Sequence, residues 1–172
     1  MTLKAHRRLV AATLVTAAIS FAFVGPAAAA APQPVAPAVT DYDAGVACAF
    51  PLRVSSTDGQ MLEHRFADRS GNVVRTTQVT TGIAYTNTNL LTGKSLTIDA
   101  RGSVMRTTVK DGIATVTATG QTGIIMFPTD VPAGPSTTVY RGRVVFTIDL
   151  STGVFTIISS TGTRTDVCAA LS

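Results

Sequence analysis

Beyond its first thirty residues the chain has one histidine (His64), one glutamate (Glu63) and two cysteines (Cys48 and Cys168) with which to do chemistry. Glu63 and His64 are neighbours in "MLEHRF". On a strand, neighbours point to opposite faces, so the two cannot act there as an acid–base pair. Glu63 and Arg65 do share a face, and read as a surface ion pair worth about 0.2–1 kcal/mol. His64 alone could serve as a general base, but a solvated histidine at the edge of a core is the commoner use. Turns account for most aspartates. Asp58 and Asp111 precede glycines, Asp68 sits in a hairpin loop, and Asp99 and Asp149 begin turns. In such places a carboxylate bonds nearby backbone N–H groups. Beyond residue 45, Asp130 and Asp166 are left over, and no spacing marks them as the carboxylate pair of a glycosidase.

Metal and phosphate chemistry fare no better. One histidine and a cysteine pair leave carboxylates as the main ligands, and they lack a calcium-loop spacing. "TGKS" (92–95) resembles the tail of a phosphate-binding loop. The motif needs a glycine at position 88, where threonine stands, and a helix afterwards, where "SLTID" reads as strand. No G-x-S-x-G elbow is present. The sequence therefore predicts no catalytic residue, no metal and no cofactor.

The cysteines belong with the ends of the chain. Lys4, Arg7 and Arg8 precede the apolar run Leu9 to Val24, then Gly25-Pro26 and Ala27 to Ala31. That is the layout of a cleaved secretory signal over 1–30, and the run is shorter than the ~20 residues that span a bilayer. "GVAC" lacks the large apolar residue of a lipid-attachment site. The expected protein is secreted and extracellular, without a membrane span in its mature form. In an oxidising compartment Cys48 and Cys168 have only each other to pair with. The rival use, a reactive or metal-binding pair, has no C-x-x-C and no histidine near either cysteine. Without the signal, eleven basic residues face ten acidic ones, and the formal charge of +4 falls to +1. No clustered basic face remains to favour nucleic acid. "APQPVAPAVTDYDAG" (31–45) is rich in Pro and Ala and reads as a flexible leader. Residues 46–172 read as one disulfide-closed domain.

The elements that must carry these residues are strands. Turn signals recur through a Thr-, Val- and Ile-rich sequence, which predicts an all-β antiparallel meander of about 8–10 strands. In "CAFPLRV", Cys48, Phe50, Leu52 and Val54 alternate onto one face, and Pro51 suggests an edge. Asp111-Gly112 is the strongest hairpin signal. "SLTIDARGSV" (95–104) and "VFTIDLSTGVF" (145–155) look like one hairpin solution used twice. Pairing Cys48 with Cys168 would tie the first strand to the last, which favours a closed or nearly closed barrel over a sandwich.

One stretch resists turn chemistry. "FPTDVPAGPSTTVY" (127–140) holds three prolines between Phe127 and Tyr140. Long loops in compact domains tend to be functional, and prolines stiffen this one. It reads as a shaped loop over one barrel end, either a ligand rim or a plug for the core. "IIMFPTDVPAGPSTTVYRGRVVFTID", "CAFPLRV", "RFADRSGNVVR" and "GTRTDVCAALS" together resemble a set of small exported actinobacterial hypothetical proteins without an assigned activity. The resemblance implies export and paired end cysteines, and supplies no substrate. The expected function is a non-catalytic binding module with an unknown partner, an apolar small molecule or a cell-envelope component. It would be held by Phe127, Asp130, Val131, Tyr140 and Arg141. The alternatives are a cavity-shaping barrel enzyme of cyclase or isomerase type, and a protease inhibitor presenting 127–140.

Overall fold

The computed structural model describes residues 31–172, so the signal-peptide reading of 1–30 lies outside the described residues. Eleven strands and one short helix follow in order: β1 (Gln33–Val35), β2 (Ala38–Tyr42), β3 (Leu52–Ser56), β4 (Gly59–Ala67), β5 (Val73–Thr81), β6 (Ala84–Asn89), β7 (Ser95–Asp99), β8 (Val104–Lys110), β9 (Ile113–Met126), β10 (Ser136–Asp149), β11 (Phe155–Asp166) and α1 (Val167–Leu171). All neighbouring strands pair antiparallel. They form a larger sheet in the order β1-β4-β5-β8-β9-β10-β11 and a smaller one in the order β2-β3-β6-β7. The fold is all-β, as expected, and among the described residues no ring of strand pairings closes either sheet.

The strand count exceeds the sequence expectation because of residues 31–45. Read as a flexible leader, this segment supplies β1 and β2. β1 pairs with β4 and β2 with β3, so distant partners satisfy their backbone groups and no amphipathic period is needed. Asp41 on β2 takes a two-pronged bond from Arg53 on β3, both contacts at 2.7 Å. With β2 in place, β3 lies inside the smaller sheet, and Pro51 precedes it. The edge position suggested by Pro51 is thereby corrected.

Turn chemistry follows the sequence closely. Asp111 and Gly112 both take positive φ, as a two-residue primed turn requires, and join β8 to β9. Asp68 Oδ1 accepts from the backbone N–H of Ser70 and Asn72 at 2.8 and 3.0 Å. The two look-alike segments share local chemistry and differ in outcome. Asp149 Oδ1 accepts from Ser151 N–H at 2.8 Å, and Asp99 Oδ1 from Arg101 N–H at 3.0 Å. The first turn joins β10 to its partner β11, whereas the second carries the chain from β7 in the smaller sheet to β8 in the larger.

β9 and β10 run for 14 residues each, well beyond the usual strand of about 5–6. Gly120, Gly142 and Gly162 stand side by side across β9, β10 and β11, all at positive φ. Such a row lets three strands bend at one line. The loop between β9 and β10 requires the bend. Val131 donates to Phe155 O and accepts from Ile157 N–H, both at 2.8 Å. Phe155 and Ile157 sit opposite Ile148 and Phe146. A straight β10 would place Phe146 about 33 Å from Ser136. The five residues from Met126 to Val131 reach about 17 Å at most. Even-numbered residues from both halves of the bent hairpin, Val116, Ala118, Ile124, Met126, Tyr140 and Phe146, accordingly share one buried cluster.

A second cluster lies between the sheets. Leu52 and Ile98 of the smaller sheet meet Val139 of the larger, together with Val167 and Leu171 of α1. Asp166 caps α1 by accepting from Ala169 N–H at 3.0 Å. The Cys48–Cys168 disulfide holds the helix there, spanning 120 residues of sequence. A loop of that length stabilises by about 4–5 kcal/mol in the chain-entropy account. The bond joins the segment before β3 to α1, and neither cysteine lies in a strand. Among the described residues no helix is long and apolar enough to cross a membrane.

Candidate functional site

The inner face of the smaller sheet follows from its register. Val54, Asn87 and Leu96 stand in one row across β3, β6 and β7, and Ser56, Tyr85 and Ile98 in the next. One end of this face is stopped by α1. There Asn89, on the same side of β6, donates to Leu171 O at 3.0 Å and accepts from Leu91 N–H at 2.9 Å. Away from the helix the sheets part around a cavity of ≈280 Å³, mainly apolar. Val54, Tyr85, Asn87 and Ile98 wall it on one side. Met105, Ala118, Gly123, Ile125 and Thr137 wall it on the other, with Gln78 and Gln121 beside them. Tyr85 keeps 36% of its surface exposed, and burial of the rest pushes its hydroxyl pKa up. It stays a neutral donor at physiological pH.

Among the described residues no charged side chain lines this cavity. The nearest carboxylate chemistry is one step removed. Gln78 donates to Glu63 Oε2 at 2.5 Å, and Arg65 pairs with Glu63, the ion pair expected from the sequence. Partial burial pushes the Glu63 pKa up, but the bonds from Gln78 and Arg65 outweigh it and hold the group below its usual range. His64 is exposed on the opposite side of β4, its ring 4.5 Å from that of Phe66. Among the described residues no three His, Cys, Asp or Glu side chains gather as a metal site needs.

The five residues singled out in 127–141 are not brought into one site. Phe127 packs its ring against Tyr42 at 6.2 Å. Asp130 is buried, and its two oxygens accept from the N–H groups of Phe127 at 2.6 Å and Phe155 at 2.9 Å. The Val131 side chain is exposed while its backbone pairs with β11. Tyr140 is buried in the cluster inside the bent sheet, and Arg141, the next residue, points out to Gln121. Of these, Tyr140 borders a second hollow, a wider and more polar one of ≈520 Å³ beside Pro132, Arg164 and Asp166. None of them lines the inter-sheet cavity.

Sequence reasoning missed the cavity residues because Gln, Asn, Thr and Tyr at alternate strand positions are ordinary. The sole signal was "YTNTN", which sets Tyr85, Asn87 and Asn89 on one face. Comparison with protein-family models, curated proteins and solved structures finds no match to this chain.

Proposed function

We propose that the protein is an exported, non-catalytic binding module that holds a small, largely apolar molecule between its two sheets. The observation that carries this reading is the cavity itself. Among the described residues it is walled by uncharged side chains of both sheets, lies beside the core packed around α1, and is edged by the half-buried Tyr85. Its volume is about twice the ~150 Å³ that suffices for benzene in an apolar protein cavity, and lies at the small end of ligand pockets. In this reading the two sheets act as the walls of an incompletely closed barrel. A disulfide persists in oxidising compartments, which supports a place outside the cell.

The alternatives draw less support. A cavity enzyme would want His64 or a carboxylate in the wall, and neither lines it. An inhibitor would present 127–140 as an exposed extended segment, whereas the centre of that loop pairs with β11.

Gly123 offers the test. A Cβ placed there meets only Ile98 Cδ1, at 3.9 Å, and the backbone φ is one any residue adopts. Gly123→Leu would therefore fill the cavity without displacing backbone. The wild-type protein is expected to bind the neutral dye N-phenyl-1-naphthylamine with a fluorescence rise. Gly123→Leu should weaken that binding at least about tenfold, a loss of ~1.4 kcal/mol, and melt within a few degrees of wild type. Undiminished dye binding by a folded Gly123→Leu protein would place the dye elsewhere and remove the proposal's basis.

A further inference from the structure

Several polar side chains around the cavity are committed to partners in the protein. Gln78 is bound to Glu63, Thr80 donates to Ala100 O, Ser103 to Gln121 O, and Thr137 to Ala47 O. Tyr85 and Thr122, both more open to solvent, make no side-chain hydrogen bond among the described residues, and neither does the buried Asn87. Its residue surface is 3% exposed, yet its amide makes no hydrogen bond to any other described residue. Among the described residues no fully enclosed side-chain nitrogen or oxygen lacks a partner, so the Asn87 amide is reached from the cavity. Two residues along the same face, Asn89 spends both ends of its amide on the backbone around α1. The two asparagines face different surroundings: Asn89 meets the end of α1, and Asn87 lines the cavity.

An amide carries donors and an acceptor side by side and has no charge. Its row neighbours, Val54 and Leu96, offer it nothing polar. A purely hydrocarbon occupant would leave the amide unpaired in an apolar pocket, which is costly. An ionised occupant would find no counter-charge in the wall.

Resting on the binding-module reading above, we infer that the site selects a neutral ligand. It carries an amide-like donor–acceptor pair, which Asn87 reads, on an apolar body held by Val54, Ile98 and Ile125. Tyr85, at the mouth, adds a second neutral polar contact. Asn87 is then the specificity residue of the site.

The test uses probes of one shape: benzamide, ethylbenzene, benzoate and benzylammonium, each titrated into the full mature protein and followed by NMR shifts. Benzamide and ethylbenzene should bind, and the two ions at least about tenfold more weakly than benzamide. Asn87→Leu should weaken benzamide about tenfold while leaving ethylbenzene unchanged or tighter. In the wild-type protein the Asn87 side-chain NH2 resonances should move with benzamide and stay in place with ethylbenzene, a readout that holds even if the variant does not fold. If Asn87→Leu shifts both neutral probes in parallel, if the Asn87 resonances ignore benzamide, or if benzoate binds as well as benzamide, the selectivity is refuted and the cavity reading survives. If neither neutral probe binds, the cavity reading falls and this inference with it.

Discussion

Asp130 holds two backbone N–H groups from places far apart in sequence, one at the base of its own loop and one at the start of β11. Removing it leaves both part-buried donors without their partner. Asp130→Ala should cost about 2–4 kcal/mol in urea unfolding, and Asp130→Asn, which keeps one acceptor oxygen, about 1–2 kcal/mol. The sequence singled out Asp130 because turn spacing did not explain it. That was a real signal, but its meaning was not readable, since the Phe155 partner is set by tertiary folding. Other aspartates were legible because their partners are local. Side-chain bonds, led by Arg101 and Ser151, hold Asp99 and Asp149 below their usual pKa, and backbone bonds led by Asn72 do so for Asp68. The folded state then binds fewer protons than the unfolded chain in the window below about pH 4. The stability these groups add is present above that window and is lost as pH falls through the folded values. Thermal melts should be flat near neutrality and drop below about pH 4, less steeply in Asp149→Asn. A melt that rises on acidification would contradict the assignment.

At the scale of elements, the glycine row decides the shape of the larger sheet. A Cβ at Gly142 would stand 2.4 Å from Thr161 O, and one at Gly162 would stand 2.1 Å from Arg141 O, both at positive φ. Gly142→Ala and Gly162→Ala should each cost about 3 kcal/mol or more, combining clash with backbone strain. Gly102 has the same kind of φ with nothing within 4 Å, so Gly102→Ala should cost only about 1 kcal/mol. Chemical denaturation of the three variants checks the order, and equal costs would mean that the row does not bend the sheet. The sequence shows these glycines 20 or so residues apart, as isolated interruptions. Only the strand register places them on one line. The same limit explains β1 and β2, whose Pro- and Ala-rich sequence carries no strand period and whose hydrogen-bond partners lie on β4 and β3. Asp111-Gly112, by contrast, is a hairpin in the sequence and in the structure, because a primed turn needs only its own two residues.

For the whole molecule, the cysteine pair and the all-β class were legible from composition and turn spacing. The site was not. Its walls come from alternate positions on strands of two sheets, which only tertiary folding brings face to face beside the core packed around α1. The Pro-rich loop that drew attention in the sequence makes structural contacts: Val131 pairs with Phe155 and Ile157 of β11, and Asp130 accepts from Phe127 and Phe155. The binding we propose accordingly belongs to the inter-sheet cavity. The most direct measurement is native mass spectrometry of the protein purified from the organism that encodes it, alongside Gly123→Leu prepared identically. The account predicts a non-covalent small-molecule adduct on the wild-type chain, released on collisional activation and absent from the variant. An adduct carried equally by both proteins, or a wild-type chain that arrives bare and also ignores the neutral dye, would contradict it.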